Sequence, residues 1–240
     1  MRLYHHLREG RFIRRVNRFI AEAALEGETL AVHVKNTGRL GELLLPGAAV
    51  WLEETDNPAR KTRFDLVCVD SRGYAVNIDS QATSPVFREW AEKGRWAEGL
   101  RNLRGEVTYG DSRFDFAYDR NGVRGYVELK GVTLFDGADM AFFPDAPTER
   151  GVKHLRGLVR ARREGCEAGV CFILQRDDAA GLKPNDATHP AFGQALREAA
   201  LAGVTVRALG CHVTPEGCEA VREVPVILCP RWQPLPGRDG

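Results

Sequence analysis

Residues 113–131 read RFDFAYDRNGVRGYVELKG. Arg113 to Tyr118 alternates as a strand does. That period puts Phe114 and Phe116 on one face and Asp115 on the other, with Arg113 and Ala117. Arg124 to Gly131 is a second strand. It ends in Glu128-Leu129-Lys130, with Glu128 and Lys130 sharing a face and Leu129 opposite. Paired as a hairpin, the two strands bring Asp115 beside Glu128, with Lys130 close by. Glu106, on a strand predicted from Gly105 to Tyr109, joins from the neighbouring position.

Two carboxylates and a lysine have a shared chemistry. Oxygen ligands of this kind hold Mg²⁺ or Mn²⁺, and Mg²⁺ keeps waters in its shell. A metal there lowers the pKa of bound water and stabilises charge on a phosphoryl oxygen. The lysine positions that water or stabilises the developing charge. An Asp followed later by Glu-x-Lys is the arrangement of the PD-(D/E)xK nucleases. Asp115, Glu128 and Lys130 are therefore the candidate catalytic residues, and Asp115, Glu128 and Glu106 the candidate metal ligands.

Outward from this stretch the chain reads as mixed α/β. Apolar residues at helical spacing (Val86, Trp90, Trp96, Leu100, Leu103) predict a helix from about Pro85 to Leu103, interrupted by Gly94. A second helix is predicted from about Thr148 to Arg163, with capping oxygens at Asp145 and Thr148 and a stop at Gly165. Val170 to Leu174 is wholly apolar, as in a buried central strand. A helix from Pro190 to Ala202 and a strand from Val204 to Leu209 follow. The crossover helix implies parallel pairing. Phe143 to Leu155 is a loop leading into the second helix. Arg150, Lys153 and His154 lie near one helical face there and suit a phosphate at the helix N-terminus.

The front of the chain is different. Short strands at Arg11–Val16, Thr29–Val34, Ala49–Leu52 and Phe64–Val69 are separated by turn signals, as in a small barrel or sandwich. The division falls at 1–78 and 79–229, with a Pro/Gly-rich tail at 230–240 expected to be loose. Residues 1 to 18 carry six arginines against one acid, Glu9. Arg60, Lys61 and Arg63 form a second basic group. Such surfaces bind phosphate backbones with steep salt dependence. Phe12, Phe19 and Trp51 are potential base-stacking rings, with core packing the competing role.

The whole chain has 240 residues, 43% hydrophobic and 28% charged, with 34 basic and 33 acidic side chains. That composition excludes a disordered chain, and no apolar run reaches the roughly 20 residues a spanning helix needs. No membrane partner is therefore expected. The net charge of +1 says nothing of partners; local clusters must. The N-terminus has no apolar signal-like core, and the six cysteines form no CxxC pair, so a cytoplasmic protein with reduced thiols is expected.

Several segments together are familiar: Arg14-Arg15-Val16-Asn17-Arg18-Phe19, His33 to Leu40, Pro46 to Trp51, Arg60-Lys61-Thr62, Glu106 to Phe116, Val127 to Leu134, and the run from Phe143 to Leu155. Through them the chain resembles the SfsA family (sugar fermentation stimulation protein A) over nearly its whole length. The resemblance implies an N-terminal OB-fold-like barrel followed by a restriction-endonuclease-like α/β domain. It implies DNA as partner, bound without strong sequence preference, and a link to regulation of sugar (maltose) metabolism. The contact residues expected for nucleic acid are Arg14, Arg15, Arg18, Lys35, Asn36, Arg39, Lys61, Arg150, Lys153 and His154. The competing expectation is a DNA-binding regulator that keeps the nuclease-like fold without using it in catalysis. Where the family favours Ser after its ExK, this chain has Gly131.

Overall fold

The computed structural model describes residues 1–57, 59–136 and 139–228. Cys229 and the tail at 230–240 expected to be loose lie outside the described residues.

The front is a closed barrel. β1 (Leu7–Arg15), β2 (Ile20–Leu25) and β3 (Glu28–Val34) form an antiparallel meander. β4 (Ala49–Glu54) pairs with β1, and β5 (Phe64–Ser71) pairs with both β4 and β3. The parallel β3–β5 contact shuts the five strands into an OB-type barrel, which removes free sheet edges. β6 (Tyr74–Asn77) extends the sheet beyond β5. In β2 and β4 side chains alternate between the buried interior and the surface. β5 departs from that rule: Phe64 to Val69 are all buried. Its inner face joins the barrel core at Leu66 and Val69, while Val67 and Cys68 pack outward on Tyr4.

The second domain is a six-stranded sheet flanked by helices. β7 (Arg101–Tyr109), β8 (Ser112–Arg120) and β9 (Val123–Val132) are antiparallel neighbours. β9 then runs parallel to β12 (Glu167–Leu174), and β12 parallel to β14 (Thr205–Thr214). The crossovers are α2 (Glu149–Arg163) and α3 (Pro190–Leu201). β15 (Gly217–Val224) closes the order β15-β14-β12-β9-β8-β7. A small sheet of β10 (Leu134–Phe135), β11 (Met140–Phe143) and β13 (Gly181–Pro184) stands beside it. α2 and α3 cover one face; Leu155, Leu158, Phe172 and Phe192 share that core. α1 (Thr83–Glu92) covers the other face through Val86, Phe87 and Trp90. Each such buried Leu or Phe contributes roughly 1.5–3 kcal/mol of transfer free energy.

α2 starts and stops as its sequence predicts. Thr148 Oγ1 accepts from the Gly151 backbone N–H at 3.1 Å, and Gly165 follows the helix at φ +86°. The helix expected over 85–103 is shorter. It ends at Glu92, because Gly94 and Gly99 both take positive φ and the chain re-enters the sheet at Arg101. Trp96 is buried from the turn between them.

The two domains are tied at both ends of the first. Residues 1–4 reach across to the second domain: Leu3 and Tyr4 N–H groups donate to the Glu216 carbonyl. At the other end a buried polar network forms. Lys35 Nζ lies 3.0 Å from Asp65 and 3.3 Å from Asp79, and the Tyr4 hydroxyl accepts from Asn77 at 2.8 Å. Among the described residues no helix is long and apolar enough to cross a membrane.

A candidate metal and phosphate site

The alternation predicted for β8 breaks at its centre. Phe114 packs in the core under α2, while Phe116 packs against Phe87 of α1 on the opposite face. The two rings therefore do not share a face. Phe116 pairs with Val127 in register, but at the next level the Leu129 N–H donates to the Asp115 carboxylate at 2.6 Å. A side-chain oxygen stands where a ladder carbonyl would accept, while the β7 pairing keeps its register on both sides of Asp115.

At that break in alternation the acids meet. Glu128 is 4% exposed and His154 of α2 is 5% exposed. One oxygen of Glu128, Oε1, accepts from both His154 Nδ1 and Lys130 Nζ. Its other oxygen, Oε2, is buried with no hydrogen-bond partner. His154 Nε2 in turn accepts from Arg150 Nε at 3.4 Å, which fixes the tautomer whose Nδ1 donates to Glu128. Phe114 meets the His154 ring edge-on at 6.1 Å.

The two carboxylates have opposite electrostatics. Burial alone would push Glu128 up, but His154 and Lys130 outweigh it and hold it below the usual carboxylate range. Asp115 is pushed up to about 6, first by burial and then by the charge of Glu128; the Leu129 N–H and Lys130 oppose this only in part. Two buried carboxylates, one with a free oxygen, repel each other unless a cation or a proton lies between them. This donor set fits a hard divalent cation, which takes one or two carboxylates and completes its shell with water or phosphate oxygens.

Glu106 does not join them. It takes φ +55° opposite Asp115, its side chain is 75% exposed, and it pairs with Arg113. The left-handed backbone turns it away from the site. Among the described residues no group of three or more His, Cys, Asp or Glu side chains is placed to hold a metal.

The candidate phosphate contacts divide. Arg150 and Lys153 are exposed on α2 near the acids, Lys153 at 3.3 Å from Asp111. His154 faces inward to Glu128 and is not a surface contact. Arg15 is spent on the backbone: its guanidinium donates to the carbonyls of Asn17, Arg18, Asn36, Gly38 and Arg39 at 2.6–3.2 Å. Lys35 is held between Asp65 and Asp79, and Asn36 bonds to the Ile78 carbonyl and the Gly38 N–H. Arg14 is exposed but paired with Glu22, and of the second basic group Arg60 and Arg63 pair with Asp65 and Glu54. Arg18, Arg39 and Lys61 stay exposed.

The basic surface that sequence reasoning missed is the rest of α2. The helix carries six Lys and Arg against the single acid Glu149. Arg156, Arg160 and Arg163 continue the exposed row from Arg150 and Lys153 at spacings of three and four residues. That spacing is visible in the sequence once the helix is assigned.

Comparison with known proteins now decides the family. Residues 13–78 match the "SfsA N-terminal OB domain" model, and residues 81–217 match the "Sugar fermentation stimulation protein RE domain" model. The chain belongs to the SfsA family. A "Sugar fermentation stimulation protein homolog" of Desulfitobacterium hafniense is 48% identical over 225 residues, covering 94% of this chain and 98% of that one. Its counterpart in Acetivibrio thermocellus is 45% identical over 233 residues, covering 95% and 100%. A solved structure described as "The structure of Pyrococcus Furiosus SfsA in complex with Ca2+" superposes with a TM-score of 0.87 at 30% identity, covering 95% of this chain and 98% of that one. An OB barrel followed by an α/β domain is thus the family's fold.

Proposed function

We propose that this SfsA-family chain is a nucleic-acid phosphodiesterase that works with Mg²⁺ or Mn²⁺, with DNA as its first candidate substrate. The observation that carries the reading is the buried Asp115–Glu128 pair. It joins Lys130, leaves Glu128 Oε2 free, and is tied through His154 to α2, a helix with six basic residues. A relative solved with Ca²⁺ supports a divalent-cation site in this fold.

Asp115 and Glu128 would hold the cation. Bound there, it supplies Lewis-acid charge to a phosphoryl oxygen and lowers the pKa of a water. The protein's own groups do the rest. Lys130 Nζ, anchored on Glu128, stands where it can orient the attacking water and offset charge developing on the phosphate. His154 holds Glu128 in one rotamer. Arg150, Lys153, Arg156 and Arg163 attract the phosphate backbone and set its path along α2.

A second reading has its own observation. With Glu106 turned outward, only two carboxylates remain, which favours a DNA-binding protein whose site is not used in cleavage. The relatives' names point to sugar fermentation, and a regulatory role in sugar (maltose) use is compatible with this reading. A cytoplasmic location remains part of the proposal.

The test is cleavage of labelled single- and double-stranded DNA and RNA with Mg²⁺, Mn²⁺ or EDTA, beside Asp115→Ala and Lys130→Ala. Metal-dependent cleavage lost in both variants, with salt-sensitive binding kept, supports the enzyme. Binding without cleavage on every substrate supports the regulator. Equal cleavage by variants and parent refutes the site.

A further inference from the structure

The turn between β1 and β2 is rigid and presents an unpartnered aromatic ring. Asn17 Oδ1 accepts from the backbone N–H groups of Phe19 and Ile20 at 2.8 and 3.0 Å. The Phe19 carbonyl accepts from Val34 N–H at 2.8 Å, and the Val16 N–H donates to the Ile20 carbonyl at 2.9 Å. Arg15 then braces this turn to the 36–39 loop through five carbonyls. The backbone is thus held from three sides.

Phe19 nonetheless remains 50% exposed, and among the described residues no aromatic ring or guanidinium stacks on it. Of the three rings considered from the sequence, it alone stands free. Phe12 is buried inside the barrel, and Trp51 packs on the Tyr4 cluster. A half-bare phenylalanine on a mobile loop means little. One fixed on a braced turn has already lost its conformational freedom, so a ligand that covers it loses less.

Its surroundings choose the ligand. Arg18 precedes it and is exposed, and Arg39 is exposed on the loop that Arg15 ties to this turn. The Arg39 N–H donates to Asp145 at 3.1 Å, which anchors the turn beside the loop leading into α2. A flat apolar face between cations, joined to the basic helix, matches a base followed by phosphates. A protein ligand would need a broader apolar patch than one ring beside Val16.

We propose that Phe19 is a base-stacking post, and that nucleic acid crosses the barrel turn as a single strand before reaching α2. The proposal rests on the nucleic-acid reading above. A paired base is already stacked on its neighbours and cannot offer its face to Phe19; an unpaired one can.

The experiment is titration of the full chain with a fluorescein-labelled single strand of about 16 nucleotides, the upper range of an OB-fold site. The same-sequence duplex and an abasic strand of equal length are run beside it. Phe19→Ala and Phe19→Leu are expected to weaken single-strand binding about tenfold, within the range of one lost stacking contact. Phe19→Tyr is expected to keep it. Duplex and abasic affinities and the salt slope should not move in any variant. Circular dichroism melts matching the parent show that the exposed substitutions leave the fold intact. Parent-like single-strand binding by Phe19→Ala overturns the stacking role alone. Equal weakening on duplex and single strand also overturns it. A parent that binds none of the three probes overturns the nucleic-acid reading with it.

Discussion

Replacing Asp115 with Asn is expected to stabilise the protein near pH 8 and to do nothing near pH 4, where the parent carboxyl already carries a proton. The reason is the position of Asp115 beside Glu128. Its folded-state pKa is about 6 against an ordinary 3.8, so the folded protein holds that proton more tightly than the unfolded chain does. Stability from this group is full below the unfolded value and is lost as pH rises through the folded value. About two pKa units at ~1.4 kcal/mol each give a penalty of about 3 kcal/mol above pH 7. Asn removes the charge and keeps an oxygen for the Leu129 N–H. The folded value already includes that bond, so the expected gain is at most about 3 kcal/mol, or roughly 6–12 °C in Tm for a chain of this size. The assay is thermal melting of both proteins across that pH range, with EDTA and with Mn²⁺. Mn²⁺ should raise the parent's Tm and leave the variant's unchanged, because a ligand stabilises only the state that binds it. An Asn variant that melts at or below the parent at the alkaline end refutes the buried-pair argument. So does an advantage that persists at the acid end.

Two further outcomes follow from the same site and from α2. His154→Ala is expected to cost about 2–3 kcal/mol, measured by urea unfolding, because Glu128 stays buried and loses a donor; it should also weaken Mn²⁺ binding, whereas His154→Asn restores part of both. Arg156→Ala with Arg163→Ala is expected to lower the slope of log affinity against log salt by about 2 while leaving cleavage per bound substrate unchanged; filter binding across a salt series checks it, and an unaltered slope removes α2 from the phosphate path.

Much of the second domain was legible because its signals are local. Thr148, Gly165 and the apolar run Val170 to Leu174 act within one element, and α2 and β12 form where they predict. Glu128 and Lys130 share a face by the period of a regular strand. The barrel was less legible. β2, with three alanines and a glutamate in six residues, has Ile20 as its one β-branched residue, and its place comes from pairing with β1 and β3. The same long-range pairing undid the basic front. Glu22 and Glu26 come to lie across β1 from Arg14 and Arg8, and Asp65 reaches Lys35 and Arg60. A count of arginines over residues 1–18 cannot see acids that arrive from other strands. Among the described residues the ion pairs of α2's basic row go only to Asp111, through Lys153 and Arg160, so most of its charge survives folding.

The break in alternation at Asp115 gives the site a physical logic that a regular strand would lack. With strict alternation, Asp115 would still lie opposite Glu128, but its same-face neighbour two residues earlier would be Arg113. A guanidinium there would pair with the carboxylate and compete with any cation. Phe114 lies on the α2 side instead, against His154, and Arg113 goes to Glu106 at the surface. An apolar ring thus stands where a positive charge would have been. It deepens the burial that raises Asp115 while leaving the negative charge of Glu128 answered only on Oε1. The left-handed backbone at Glu106 belongs to the same event, since β7 keeps its register with β8 across the irregularity. The left-handed Glu106 is kept beside a pair of carboxylates in which Glu128 Oε2 has no protein partner. Such strain is tolerated where a fold gains a binding function from it. On the reading proposed above, such a site takes its cation from outside, and Arg150, bonded to His154, is the α2 cation nearest to it by contact.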